Sequence, residues 1–339
     1  MALTWSVLSQ ETLAMKRSTS HKLICLLAFI FATSASCASP PRAPKAIKTV
    51  AFITNATSDF WKIAHKGCEK ADAELADVTV AFKSTNTGSA KEQNGLISDA
   101  LEMDTDAIAI SVIDPVGQKQ VINEAAKRAL VITQDSDAPD SDRALYLGAD
   151  NRAAGRQAGE LIKKALPQGG KIMVFVGKRE VQNARERFDG LKESLQGSKV
   201  EIIDLLTDDA DEGRARQNAY ETLKKYPDIA GMVGLWSYNG PAILQALRPE
   251  GKVGQIKIVC FDDERATLAA IKEGAIFGTV AQQPFEYGYQ AVQMAARILK
   301  GDRSTVPASK TILIPTVVIQ KNNVDEYSKK LDQLLGTAG

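Results

Sequence analysis

The chain has 339 residues, enough for two domains, and its 44% apolar and 24% charged content is ordinary for a protein with a packed core. A formal net charge of +1, with Lys and Arg scattered, removes the bulk electrostatic case for nucleic acid. The only two histidines, His21 and His65, exclude a multi-histidine zinc site, and His65 falls on a helix rather than on a loop where a Ser-His-Asp triad would need it.

The first feature in chain order is a targeting segment. Lys16-Arg17 precede an apolar run over 23–32, and small residues follow up to Ser39, before Pro40-Pro41. A basic, apolar and small-residue succession is that of a secretory signal peptide, and the run is too short to span a membrane. Of Met1 and Met15, Met15 suits the true start better, since residues 1–14 do not look like a leader. Cleavage is expected near Ala38, or before Cys37, which would then carry lipid. Ser34-Ala-Ser-Cys37 resembles a lipoprotein box without its usual Leu. Either route predicts a periplasmic or envelope location, with 40–48 as a tether. Cys25 and Cys37 belong to this segment. Cys68 and Cys260 read as small core hydrophobes, and no disulfide framework is present.

Beyond residue 48, strand and helix patterns alternate. Strands are predicted at 49–54, 78–83, 107–111, 130–134 and 144–147, with helices at 60–76, 90–102 and 117–128. A second series places strands at 171–176, 200–206, 230–235, 256–261 and 276–281. Its helices fall at 151–165, 184–196, 212–225, 240–247 and 265–273. A helix at 285–300 and extended runs at 311–319 close the chain. Such alternation implies βαβ units and parallel sheets, and two series imply two α/β lobes with a cleft between them. No sequence repeat between the series is evident.

The stretch Thr54-Asn-Ala-Thr-Ser-Asp-Phe-Trp61 joins the first strand to the first helix. Adjacent aromatics at such a corner point to the crevice beyond the strand ends, where open α/β sheets bind ligands. The alternative is a hydrophobic staple that only fixes the helix entry. Other strand ends carry Asp135, the arginine-bearing stretch 183–190, Trp236-Ser-Tyr-Asn239, Asp262-Asp263 and Gln282. Carboxylates, an arginine fork, amides and aromatic plates suit a small, neutral, polyhydroxylated ligand. The other motifs do not hold. Gly170–Lys178 lacks the spacing of a P-loop, no Gly-x-Gly-x-x-Gly follows the first strand, and Asp208–Gly213 departs from a calcium loop.

From about residue 47 to 325 the chain resembles the periplasmic sugar-binding proteins of ABC transporters, above all the ribose-binding type. The resemblance rests on Asn55 to Trp61, Val131-Ile-Thr-Gln-Asp135, Ala184-Arg-Glu-Arg187, Val259-Cys-Phe-Asp262 and Val280-Ala-Gln-Gln-Pro284. It implies a type I periplasmic binding protein fold, two Rossmann-like lobes joined by a three-segment hinge. The N-terminal lobe would be 46–149 plus 283–310 and the C-terminal lobe 150–282 plus 311–330. It implies that Phe60 and Trp61 stack on the sugar, that Asp135 and Asp262 accept its hydroxyls, and that Arg185 and Gln282 donate. Asn239, or Tyr238 if the register slips, would add a C-lobe group, and Asn55 or Ser58 an N-lobe one. Two departures from the ribose pattern put ribose itself in doubt: Ser136 replaces an arginine and Ala210 a phenylalanine. The resemblance implies a monomer that captures a pentose, hexose or polyol and hands it to an ABC transporter permease. It implies no metal, cofactor or catalytic residue. A periplasmic sensor presenting sugar to a histidine kinase is the alternative. A repressor is disfavoured, since no DNA-binding helix-turn-helix precedes residue 48, and a glycosidase using Asp135 and Asp262 is the least favoured reading.

Overall fold

The computed structural model describes residues 47–336. The leader, with Cys25 and Cys37, and most of the 40–48 tether lie outside the described residues.

The first series begins with β1 (Lys48–Ile53), α1 (Asp59–Glu74), β2 (Val78–Lys83), α2 (Ala90–Glu102) and β3 (Ala107–Ile110). It continues through α3 (Lys119–Ala126), β4 (Leu130–Gln134) and β5 (Leu145–Gly148). The second holds α4 (Asn151–Ala165), β6 (Gly170–Val176), α5 (Gln182–Leu195), β7 (Val200–Thr207), α6 (Glu212–Lys225) and β8 (Ile229–Gly234). After it come α7 (Asn239–Leu247), β9 (Lys257–Phe261), α8 (Arg265–Glu273) and β10 (Gly278–Ala281). The chain closes with α9 (Pro284–Leu299), β11 (Thr311–Leu313), β12 (Val317–Gln320) and α10 (Val324–Leu335).

The strands form two six-stranded sheets, in the orders β2-β1-β3-β4-β5-β11 and β7-β6-β8-β9-β10-β12. Every pairing is parallel except that of β12 with β10. Strands flanked by helices on both faces must be apolar throughout, and Val50–Ile53 and Ala107–Ile110 are buried at every position. The chain crosses from one sheet to the other three times: between β5 and α4, between β10 and α9, and between β11 and β12.

Two expectations for the last segment are corrected. β11 pairs with β5, so residues 311–313 belong to the first sheet and the third crossing lies at 314–316, not at 310. Extended runs in sequence do not say which sheet edge accepts them. The chain also ends in a helix, α10, that the sequence reading missed. Its buried apolar positions are only Val324 and Leu331, too narrow a stripe to stand out, and Tyr327 anchors it by donating to Asp263 at 2.7 Å.

The lobes repeat each other in packing as well as in strand order. In the first lobe α1 lies against α9: a Cβ at Gly67 would sit 2.0 Å from the Phe285 carbonyl oxygen, and one at Gly288 2.0 Å from that of Ala64. In the second α4 lies against α5: a Cβ at Gly190 would sit 2.0 Å from the Arg152 carbonyl oxygen, and one at Gly155 2.1 Å from that of Arg187. Reciprocal glycines bring both helix pairs to backbone contact, and the second pair fixes the backbone that carries Arg187. Gly288→Ala should therefore lower the unfolding free energy by about 1–3 kcal/mol through overpacking. Gly95→Ala, in α2 with open space around it, should raise it by about 0.5–1 kcal/mol. Denaturant unfolding of both variants checks the contrast, and equal effects would contradict the close helix contact.

Candidate functional site

The carboxyl ends of both sets of strands face one cavity. Its lining includes Asn55, Ser58, Phe60, Trp61, Asp135, Tyr238, Asp262 and Gln282 among the residues expected from sequence. Arg185 and Asn239 are not part of it.

The first-lobe wall follows from the β1–α1 corner. Ser58 is the N-cap of α1 and Phe60 and Trp61 occupy its first turn. The two rings meet edge to face, with centroids 4.9 Å apart, and the indole Nε1 donates to Asn55 Oδ1 at 3.1 Å. Both rings also pack into the core, Phe60 on Tyr287 and Trp61 on Phe52. With Ser58 as the N-cap, Phe60 and Trp61 fall at the second and third helical positions, so they form no N′–N4 staple and serve at once as core and cavity wall.

Asp135 and Asp262 hold equivalent places after β4 and β9. Both adopt positive φ, 60° and 67°, and both backbone N–H groups donate to the neighbouring strand, at Leu147 and Val280. Left-handed backbone at a non-glycine residue is strained, and here it turns each carboxylate from its strand into the cavity. Asp135 Oδ2 accepts from Ser111 Oγ at 2.7 Å and from Asn55 Nδ2 at 3.4 Å. Asp262 Oδ1 accepts from Gln282 Nε2 at 2.9 Å, while Gln282 Oε1 accepts from Tyr287 at 3.1 Å. Burial pushes the Asp135 carboxyl up to about 6 and raises that of Asp262. The Arg187 charge opposes the rise in both.

The arginine expected at 185 is corrected to Arg187. Two residues on a helix are about 200° apart, so only one of the pair can face the cleft. Arg185 is exposed, bonds to the Glu180 carbonyl and lines a separate groove with Asp114 and Val116. Arg187 is 1% exposed. It donates from Nε to Asn151 Oδ1 at 3.0 Å and from Nη1 to the Leu235 carbonyl at 2.8 Å. Its guanidinium lies over the Phe261 ring, and Nη1 is 4.0 Å from Asp262 Oδ2. Nη2 is buried with no hydrogen-bond partner among the described residues. The sequence carried a signal for this choice: Asn183, Arg187 and Leu191 recur at four-residue spacing on the buried face of α5.

Asn239 is corrected to a supporting role. It is fully buried at the start of α7, where Oδ1 accepts from the Trp236 N–H at 2.9 Å and Nδ2 donates to Asp208 at 3.0 Å. Tyr238 is the member of this stretch that reaches the cavity, and its hydroxyl donates to the same Asp208. Burial pushes Asp208 up to about 6. The strand-end stretches expected from sequence also hold Asn183, Trp236 and Ser237, which line the cavity although other members of each stretch were chosen as site residues, and Lys178 was missed. Lys178 reaches across the cleft to donate to the Gly88 carbonyl at 2.9 Å. Asp137, one turn beyond Asp135, does not join them. Its carboxylate is held by Arg143, and its N–H is bound by Gln182 of the second lobe at 3.0 Å.

Residues 50–303 match the periplasmic binding protein domain family. The ribose import binding protein RbsB of Salmonella typhimurium is 25% identical over 259 residues, covering 75% of this chain and 86% of that one. The solved solute-binding protein of Burkholderia graminis, in complex with D-arabinose, superposes with a TM-score of 0.78 at 27% identity, covering 84% of this chain and 99% of that one. The XylFII–LytSN complex contains a chain matching at TM-score 0.75 and 28% identity, over 81% of this chain and 98% of that one. The two solute-binding relatives are named for binding, not catalysis. With its doubled α/β topology and its cleft at the strand ends, the chain belongs to the periplasmic binding protein domain family and has the type I fold of its sugar-binding relatives.

Proposed function

We propose that this chain is an exported protein that captures a small neutral sugar or polyol between its lobes and delivers it to an ABC transporter permease. The observation that carries the reading is the buried row Asp135, Arg187 and Asp262, drawn from both lobes, with one guanidinium nitrogen left without a partner among the described residues. A ligand hydroxyl can donate to either carboxylate and accept from Arg187, and such charge-assisted bonds are the strong ones. An anionic ligand would meet two carboxylates against one guanidinium. Phe60 and Trp61 supply an apolar plate for the ring. The three crossing segments act as the hinge of lobe closure.

The second reading is a sugar sensor that presents its closed form to a membrane kinase; the XylFII–LytSN complex supports it only in that a chain of this fold is found there with another protein. One fold serves both roles. Uptake separates them. Deleting the gene should abolish accumulation of labelled sugar if the protein feeds a permease. If it is a sensor, deletion should leave uptake intact through a constitutively expressed permease.

Three outcomes test the site. Among D-ribose, D-allose, D-arabinose and D-galactose, at least one should stabilise the protein by about 3 kcal/mol at a hundredfold excess over its Kd, read as a rise in melting temperature. No rise with any sugar would overturn the reading. With the sugar that binds, Trp61→Ala and Arg187→Lys should each weaken affinity at least about tenfold, since a lysine cannot reproduce the fork. Arg185→Lys should stay within about twofold, its side chain lying outside the cavity. The third outcome is the pH dependence of binding. The ligand needs Asp135 as carboxylate, and its ligand-free pKa is about 6. Affinity should be flat above pH 7 and fall below pH 6, by up to about tenfold per unit. Calorimetry across pH should show this fall, and Asp135→Asn should bind more weakly and with a smaller fall, the remainder coming from Asp262, which burial also raises.

A further inference from the structure

The structure contains a second aromatic wall that the ribose-type pattern does not place. In that pattern the C-lobe plate falls at Ala210, whose methyl group offers no ring surface. Trp236 lines the cavity instead, from the corner between β8 and α7. Its surroundings repeat those of Trp61. Each indole Nε1 donates to an asparagine Oδ1 of its own lobe at 3.1 Å, Trp61 to Asn55 and Trp236 to Asn183. Each meets a second cavity-lining aromatic edge to face, Phe60 at 4.9 Å and Tyr238 at 6.3 Å. Trp236 also has a prepared seat: a Cβ at Gly177 would lie 2.0 Å from its six-membered ring. Asn183, in turn, is buried one helical turn before Arg187 on the same face of α5.

Resting on the sugar-binding reading above, we infer that Trp236 is the stacking plate of the second lobe and a specificity-determining residue, and that Asn183 is its positioning residue. Indoles from two lobes on one cavity suit a ligand with two apolar faces. A six-membered sugar ring with mostly equatorial hydroxyls has that shape, its hydroxyls round the rim and C–H groups above and below. A linear alditol has no such faces. The polar groups the rim requires, Asp135, Arg187, Asp262 and Gln282, line the same cavity.

Trp61 and Trp236 are two of only three tryptophans, and the third, Trp5, lies outside the described residues. Intrinsic fluorescence therefore tests the inference directly. In the full chain carrying Trp5→Phe and Trp61→Phe, titration with D-ribose, D-allose, D-arabinose and D-galactose should change the emission of Trp236. Trp236→Ala should weaken binding at least about tenfold and Trp236→Phe, which keeps a ring, by about threefold or less. Asn183→Leu should shift the Trp236 emission and weaken binding, and Asn183→Asp, which keeps an acceptor for Nε1, should restore both. Ribitol and galactitol should bind at least about tenfold more weakly than the matching sugars.

If the parent protein binds a sugar but Trp236→Ala stays within threefold of it, the inference is overturned while the sugar-binding reading stands. The same follows if Trp236 emission is unchanged in the protein carrying Trp5→Phe and Trp61→Phe, or if the alditols bind as tightly. If no sugar changes either the emission or the melting temperature of the parent, the sugar-binding reading fails and this inference with it. Should Trp236→Ala not fold, Trp236→Phe and the emission change still decide.

Discussion

One buried cation organises the cleft. Arg187 stands almost free of solvent among Asn151, Leu235, Phe261 and two carboxylates brought from opposite lobes. A charge in such a place is tolerated only if it is compensated. The compensation is incomplete in a particular way. Two of its nitrogens are bonded to protein, Asp262 is held at 4.0 Å rather than in contact, and Nη2 has no partner among the described residues. The acids answer in kind, both raised by burial and both held back by the arginine charge. A polar ligand of the kind proposed, donating to the acids and accepting from Nη2, would complete this set.

The scaffold holds these groups in strained or costly states. The left-handed backbone at Asp135 and Asp262 is tied by hydrogen bonds to neighbouring strands. Their side chains are anchored by Ser111, Asn55 and Gln282. Further out, Asp263 and Glu264 are each pushed up to about 7, mainly by burial, where β9 leads into α8 beside the cleft. So many half-desolvated acids lower the stability of the empty protein near neutral pH, since each folded-state pKa lies above its unfolded value. Behind the walls of the cleft the helix pairs α1–α9 and α4–α5 are in backbone contact at reciprocal glycines.

Those contacts also expose a relation invisible in the residues. The two lobes share one strand order, matching glycine pairs between packed helices and matching left-handed aspartates. No repeat is evident in the letters. Backbone geometry and hydrogen-bond pattern can recur under different side chains, because a sheet requires only buried apolar strands and a helix contact only one missing Cβ.

The sequence by itself determined the alternation of strands and helices, the two-lobe α/β class, and the strand ends as the place of function. These follow from local periodicity and from the rule that open parallel sheets bind at their carboxyl edges. It also pointed to Phe60, Trp61, Asp135, Asp262 and Gln282, because polar or paired aromatic residues at a strand end have few other uses. Tertiary structure decided the rest. Whether residue 185 or 187 faced the cleft depended on the rotation of α5, which its packing on α4 sets. Whether Asn239 was a wall or a brace depended on Asp208 lying beside it, thirty-one positions away in the chain. The sheet that received β11 depended on which edge was open. Trp236 entered the site through contacts with Gly177 and Asn183, residues from other elements. Periodicity is a property of neighbours in the chain, whereas orientation into a cleft is a property of neighbours in space.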